Sequence, residues 1–477
     1  MAYQVPHNIE HNKVFLVNFS ELDGRLEPEY YRPSLYSLEK KIRSLSSKKL
    51  CDYAISIAGG ATPAKTEYDK YYSESKSGIP FLRVQNLQTN GELSLDDCVY
   101  INKETHDGLL KRSQVAEGDL LVKITGVGRM AVASVAPKGF IGNTNQHMVV
   151  IKTGDAELSK YLAHYLNLDI IERIASRHST GGTRPALDYP SLKSIPIIEG
   201  IDFTPINNAI EVKKEKEAEA KKILDGMDLF LSEELGLTLN NLYDVNNNFM
   251  LENRLFYTNF SEVCGGRLDS NYYSKKYKDI LNVIKCKNYK KLSSLVSFSS
   301  ECWDRKSIYD TKIPYIEIGA INTERPEIDY VEMIAVEEAP SRAKYIVRTN
   351  DIIVSTTRPS RGAIVKIGKE HNLCIASSGF AVIRNIDNNL DINYLLYILR
   401  HKISLLQFEQ KCTGGNYPAI TQEDLGSIII PLPPLTKQQE VSCHITEMYK
   451  KVKALQEEGK NILEQAKREV ERMIIGK

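Results

Sequence analysis

The chain has 477 residues, 42% hydrophobic and 26% charged, with 62 Lys and Arg against 61 Asp and Glu. That is enough apolar sequence for about three domains with real cores, which excludes a mainly disordered chain. The near-cancellation of charge excludes histone-like binding through bulk basicity and leaves only a local basic face.

In chain order, the leader up to Val14 carries His and Glu before a short apolar run, which reads against a secretory signal. Asn18-Phe19-Ser20-Glu21 follows, then Arg25-Leu26 and the pair Tyr30-Tyr31. A helix is predicted over Leu35 to Leu45. The Gly, Ser and Pro of Gly59-Gly60-Ala61-Thr62-Pro63 through Gly78 predict a long surface loop before Ile79-Pro80. Short β-rich segments come next: Phe81 to Val84, Asp119 to Ile124 and Ala131 to Val135. Arg83 and Asn86 share an outward face if a bend follows the first of these.

Gly126-Val127-Gly128-Arg129 imitates a dinucleotide fingerprint, but a strand follows it where that motif needs a helix. As a short turn it places Arg129 beside Lys123, and an arginine on a rigid turn suits forked bonds to phosphate or guanine. Arg177 belongs to a small basic run ahead of Thr180-Gly181-Gly182-Thr183-Arg184-Pro185-Ala186, where paired glycines permit close backbone approach. Arg83, Asn86, Lys123, Arg129, Arg177, Thr180, Gly181, Gly182 and Arg184 are therefore the candidate DNA-contacting residues of this half. For the turn arginines and the Thr-Gly-Gly loop, an ordinary solvated or structural turn is the competing reading.

The order then repeats. Asn259-Phe260-Ser261-Glu262, Arg267-Leu268 and Tyr272-Tyr273 lie about 240 residues beyond their first copies, ahead of a second predicted helix, Tyr273 to Val283. Ile313-Pro314, Asn350-Asp351-Ile352 and Thr413-Gly414-Gly415-Asn416-Tyr417-Pro418-Ala419 answer Ile79-Pro80, Gly118-Asp119-Leu120 and the first Thr-Gly-Gly word. Arg358 and Arg361 stand where Arg129 does. With Thr413, Gly414, Gly415, Asn416 and Tyr417 they complete the candidate set. Two like scaffolds with unlike faces suit the reading of two targets better than one active site.

Each half ends in a long predicted helix. The first has Thr204 as N-cap and Pro205 at its first position, with Ala220, Leu224, Met227 and Leu231 at heptad spacing and Lys213 and Glu217 intruding earlier. In the second, Thr436-Lys437-Gln438-Gln439 reads as a capping box after Pro433-Pro434, and Ile445, Met448, Val452, Leu455, Ile462 and Ala466 form an apolar seam that Gly459 interrupts. At 1.5 Å per residue the two helices would be roughly 48 and 58 Å long. One stripe each is best buried against the other, antiparallel, which predicts a dumbbell with paired helices between two globules.

Catalysis has little support: the amino-methyltransferase word Asn/Asp-Pro-Pro-Tyr, the phosphate loop, H-E-x-x-H and G-x-S-x-G are all missing. His7 and His11 read as surface histidines, and His371 with Cys374 lacks further ligands nearby. No catalytic, cofactor-binding or metal-ligating residue is assigned. Eight cysteines without a C-x-x-C pair read as thiols of a cytoplasmic protein, and no run reaches the ~18 apolar residues of a membrane span.

These words together make the chain resemble the specificity subunit of a type I restriction-modification system over nearly its whole length. The most specific is Ile430-Pro431-Leu432-Pro433-Pro434-Leu435-Thr436-Lys437-Gln438-Gln439, similar to the proline-rich lead into that family's spacer helix. The copy at Ile195-Pro196-Ile197-Ile198 is degenerate, and Ser299-Ser300-Glu301-Cys302-Trp303 replaces the Gly-Gly word in the second half. The resemblance implies an α/β chain of two pseudo-repeated β-rich target-recognition domains, 1–203 and 241–433, separated by antiparallel coiled-coil spacer helices, 204–240 and 434–477. It further implies no catalytic centre, a bipartite asymmetric duplex-DNA target, and two modification (methyltransferase) subunits carrying S-adenosylmethionine. Two restriction (endonuclease/translocase) subunits using ATP and Mg are an optional addition. The alternatives are a protein-interaction scaffold or a self-contained DNA-modifying enzyme.

Overall fold

A computed structural model describes residues 10, 12–22, 24–73, 78–96, 98–238, 257–259, 263, 267–304, 311–415 and 417–476. The chain divides into two compact units, Met1–Lys216 with Glu457–Lys477, and Glu217–Gln456.

The first unit is built on a four-stranded antiparallel sheet in the order Ser56–Gly59, Met148–Lys152, Leu120–Lys123, Ala133–Val135. All four residues of Leu120–Lys123 are buried, because alternate side chains enter different cores. Leu120 and Val122 pack with the helices Ala156–Leu166 and Asp169–His178, while Leu121 joins Leu82 and Val115 of the neighbouring sheet. That second sheet has five strands, and Ile79–Leu82 and Ile141–Thr144 run parallel at its centre.

The second unit repeats this plan. Its central sheet runs Val296–Ser299, Phe380–Ile386, Ile352–Ser355, Ile364–Lys366, and a four-stranded sheet again has a parallel pair, Lys312–Ile316 with Ile375–Ser377. The repeated sequence words are the joints of this plan. Gly118 and Asn350 both adopt the left-handed conformation, at φ 80° and 72°. Each is followed by an aspartate that accepts a backbone N–H three residues upstream at 2.8 Å, Asp119 from Ala116 and Asp351 from Arg348. Each aspartate also holds a cation from the adjacent strand, Lys152 at 3.0 Å and Arg384 at 2.8 Å.

The Arg-Leu and Tyr-Tyr words are equally structural. Arg25 donates to the carbonyls of His178 and Ser179 at 3.1 and 3.3 Å, and Arg267 to those of Lys411 and Cys412 at 3.0 and 2.9 Å. Each thus satisfies carbonyls that a helix C-terminus leaves open. The second tyrosine of each pair donates back to that arginine's own carbonyl, Tyr31 at 2.9 Å and Tyr273 at 2.6 Å.

The long helices are Thr204–Glu234 and Leu435–Ile475, and the division between units falls within both. In the first unit Ile206, Ala209 and Ile210 share a core with Leu463, Ala466 and Val470. In the second, Ala220, Met227 and Leu231 pack with Val441, Ile445, Val452 and Leu455, with Leu224 and Met448 at the margin. The ion pair Glu219–Lys451 and the pair Glu234–Lys437 show the antiparallel sense. Burying each large apolar side chain contributes about 1.5–3 kcal/mol, far more than such exposed ion pairs.

Three sequence expectations need correction here. The seam passes from Leu455 through Gly459 to Leu463, which is 3% exposed, so Ile462 lies at its flank. Two steps of four in succession make a stutter, the spacing that locally unwinds a left-handed coiled coil. An added Cβ at Gly459 would stand 3.2 Å from Lys213 Cγ and 3.4 Å from its Cα, so the glycine leaves room for the intruding lysine. Measured from the predicted caps, the first helix begins one residue early and the second two, with Thr204 and Leu435 already helical. The Thr436–Gln439 box gives way to the fully buried Gln438, which donates to the carbonyls of Pro433 at 2.8 Å and Asn389 at 3.0 Å and accepts from Asp391 N–H at 2.9 Å.

Candidate nucleic-acid interface

Leu120–Lys123 leaves its sheet at Ile124 and Thr125, whose N–H groups both reach His147 O, at 2.9 and 3.3 Å. The next turn is tied to the Thr-Gly-Gly word: Gly126 N–H donates to Pro185 O at 3.0 Å and Leu187 N–H to Ile124 O at 2.8 Å. The word itself closes a loop, since Thr180 and Ala186 exchange two backbone hydrogen bonds of 2.8 Å. Gly181 turns the loop at φ 96°, where a Cβ would lie 3.2 Å from Arg184 O. Neither the dihedral nor the space suits another residue. Gly182, Thr183 and Arg184 are exposed at its tip.

The second unit builds the same frame. Thr413 and Ala419 exchange two 2.8 Å bonds, and Gly414 also stands at φ 96°, with Tyr417 O 3.3 Å from its would-be Cβ. Arg358 N–H donates to Pro418 O at 2.7 Å, Ile420 N–H to Thr356 O at 2.9 Å and Thr356 N–H to Gly379 O at 2.8 Å. Here the outward groups differ. Tyr417 is 71% exposed, and the Arg358 guanidinium sits 4.6 Å from its ring centroid, a contact of about 0.5–1 kcal/mol that holds both side chains in place. Arg358 adopts a left-handed φ of 51° and opens the turn Pro359–Arg361, which leaves Arg361 exposed. Asn416 lies outside the described residues.

Of the predicted residues, Thr180, Gly181, Gly182 and Arg184 come together in one unit, and Arg358, Arg361, Thr413, Gly414, Gly415 and Tyr417 in the other. Of the remainder, Asn86, Lys123, Arg129 and Arg177 are bonded within their own unit, as buried polar groups require. Asn86 is fully buried, accepting from Arg83 N–H at 2.8 Å and donating to Ser94 O at 2.9 Å. Its segment is a 3-10 turn, Val84–Asn86, so Arg83, half-buried at its start, and Asn86 do not form an outward face. Lys123 is 4% exposed and donates to Val127 O at 2.7 Å, and burial pushes its pKa down. Arg129 turns inward to an ion pair with Asp169 and a 3.0 Å bond to Asn167 O.

Arg177 is buried, donating to Tyr30 O at 2.6 Å and to Glu39, with its guanidinium 4.1 Å from the Tyr30 ring centroid. Burial alone would raise the Glu39 pKa, but His178, Arg177 and Arg43 outweigh it and bring the carboxyl to about 2. The cluster anchors the end of helix Asp169–His178 directly before the Thr180 loop.

One neighbour of this frame was not a sequence candidate. The Gly59-Gly60 pair lies against the end of strand Ile141–Thr144, where a Cβ on Gly60 would stand 2.2 Å from both Thr144 O and Asn145 O. That approach places the Thr62 hydroxyl on Gln146 Oε1, and exposed Gln146 stands next to His147, which holds the turn. The Gly-Gly word was the only signal, because Gln146 belongs to no motif of its own. Among the described residues, no group of three or more His, Cys, Asp or Glu is placed to hold a metal ion, and no helix is long and apolar enough to cross a membrane.

Residues 269–465 match the family described as Type I restriction modification DNA specificity domain. The type I restriction enzyme HindI specificity subunit of Haemophilus influenzae is 25% identical over 125 residues, 26% of this chain and 27% of that one. The MjaX specificity subunit of Methanocaldococcus jannaschii is 26% identical over 188 residues, 39% of this chain and 41% of that one. The matches thus span well under half of these relatives' lengths. The crystal structure of a type I restriction-modification S subunit from M. genitalium covers 89% of this chain, and 95% of its own, at 13% identity and a TM-score of 0.35.

Proposed function

We propose that this chain, whose residues 269–465 match the type I restriction-modification specificity family, is a non-catalytic DNA-recognition subunit reading a bipartite, asymmetric duplex target, one half-site per unit. The observation that carries this reading is the duplicated loop frame. Two backbones with the same hydrogen bonds present exposed Arg184 in one unit and, in the other, exposed Arg361 and Tyr417 with half-buried Arg358 beside them. A constant frame with interchangeable side chains is what base readout requires, since bidentate groups discriminate at about 1–3 kcal/mol per good pair while backbone contacts only position the duplex.

On this reading the partners are two modification subunits, which hold S-adenosylmethionine and methylate adenine. Where a cleaving arm exists, two restriction subunits that use ATP and Mg join them; the assembly works in the cytoplasm. The helical pair sets the gap between half-sites. Near-neutral overall charge suits a chain with local DNA-facing patches and protein-binding surfaces elsewhere.

The test is methylation mapping of DNA from cells carrying the full system, with residues 1–203 exchanged for those of a relative of different specificity. One half-site should change and the other stay. Change in both half-sites, or purified complex that binds duplex without sequence or salt dependence, would overturn the reading.

A further inference from the structure

Internal duplication lets each surface position be read twice. Among words kept in both halves, the arginines, tyrosines and loop glycines have structural work, as their hydrogen bonds and dihedrals show. Leu26 and Leu268 do not share that explanation: they are 83% and 85% exposed. Each follows the arginine that holds the carbonyls leading into the Thr-Gly-Gly loop, so each unit carries an exposed leucine at the base of its reading loop. Each is also followed by an acid that pairs with that arginine, Glu27 at 3.2 Å and Asp269 at 2.7 Å, which gives the leucine a polar rim.

A single exposed leucine needs no explanation. The same leucine at the same place on two surfaces whose loop tips have diverged, Arg184 against Tyr417, does. A contact common to both units must be made with something identical at both. The bases of an asymmetric target differ, and the phosphates, which are alike, favour charge and hydrogen bonds over an alkyl group. An identical protein bound twice satisfies both conditions. We propose that Leu26 and Leu268 are equivalent anchors, each inserting into an apolar pocket on one copy of a single protein. Resting on the function proposed above, that protein is the modification subunit.

The experiment uses the full chain coexpressed with its cognate modification subunit, comparing wild type with Leu26→Asp, Leu268→Asp, the double variant and the conservative Leu26→Met/Leu268→Met pair. Subunit stoichiometry by native mass spectrometry and affinity by titration are the readouts, with duplex binding measured alongside. Each single Asp variant should weaken uptake of one of the two modification subunits by about tenfold or more, the scale of a lost leucine contact. The double variant should lose both, and the Met pair should assemble as wild type does. Thermal melts of the chain should not move, and Leu→Ala replaces Leu→Asp if they do. A double variant that takes up two subunits with wild-type affinity overturns the proposal. So does one that assembles normally but loses duplex affinity, which would make the leucines DNA wedges. If wild type itself takes up no modification subunit, the specificity-subunit reading fails with it, and that outcome is distinct from both.

Discussion

Residues that look alike in the sequence separate once their surroundings are known. Arg129 and Arg184 both sit on glycine-rich turns, yet Arg129 is committed to Asp169 and Asn167 while Arg184 stands exposed at a loop tip. Arg184→Ala should therefore weaken binding to a duplex carrying the full target by about 10- to 100-fold, the scale of a bidentate contact, and leave the melting temperature unmoved. Arg129→Ala should lower the melting temperature first. Paired melts and duplex titrations separate the two, and equal DNA affinity of Arg184→Ala and wild type would remove Arg184 from the interface. Burial could not be foreseen for these residues because it depends on which helix ends up beside the turn, and neither Asp169 nor Asn167 is near Arg129 in sequence.

Glu39 gives a prediction in pH. Its folded pKa, about 2, lies below the ordinary 4.5, so its contribution to stability is fully present above about pH 4.5. It is lost as pH falls from there toward 2, because the unfolded carboxylate takes up the proton first. Glu39→Gln should flatten the acid limb of the stability curve in that window. It should also lower the melting temperature at neutral pH, since the side chain of Arg177, 5% exposed, would keep its charge without its counter-ion. Melts from pH 7 to pH 2 check both, and an unchanged acid slope would show that Glu39 does not dominate it.

At the level of elements, apolar patterning was the readable part. The helix at Pro33–Leu45, the strands at Leu120–Lys123 and Ile79–Leu82, and both long helices lie close to where periodicity places them. So do the repeated words, whose meaning is now mechanical: left-handed turns, helix-end arginines and the closing bonds of two loops. Less readable was whatever depends on a distant partner. Thr436 and Gln439 have the spacing of a capping box, but Gln438 finds the backbone of Asn389 and Asp391, and that tertiary contact prevails over the local motif.

Gly459 is the sharpest case. By helix propensity it costs about 1 kcal/mol relative to alanine, and sequence alone shows only an interruption in the seam. Facing it, Lys213 Cγ and Cα lie 3.2 and 3.4 Å from where a Cβ would stand, so a side chain that extends beyond Cβ crowds the opposite helix. Gly459→Leu should therefore lower the melting temperature by several degrees, at about 2–4 °C per kcal/mol for a unit of this size, although leucine is the better helix former. A rise in melting temperature would mean that propensity outweighs packing at this crossing.

For the whole molecule, the consequence lies in how the two helices are shared between units. The division falls after Lys216 in one helix and before Glu457 in the other, while each half-site is proposed to be read by loops that lie wholly inside one unit. Length inserted at those two points should therefore alter the spacing of the half-sites without altering their bases. The insertion must be made in both helices, because Lys216 pairs with Glu458 at 2.6 Å and Glu219 with Lys451 at 2.7 Å, and lengthening one helix alone would put every later contact out of register. One heptad in each adds about 10 Å of helix, equal to about three base pairs of duplex at most. A heptad also keeps the apolar stripe on nearly the same face. Methylation mapping of the variant should return the same two half-sites with a wider gap. An unchanged gap would show that the spacing is fixed by something other than these helices, and altered half-sites would show that the units do not read independently.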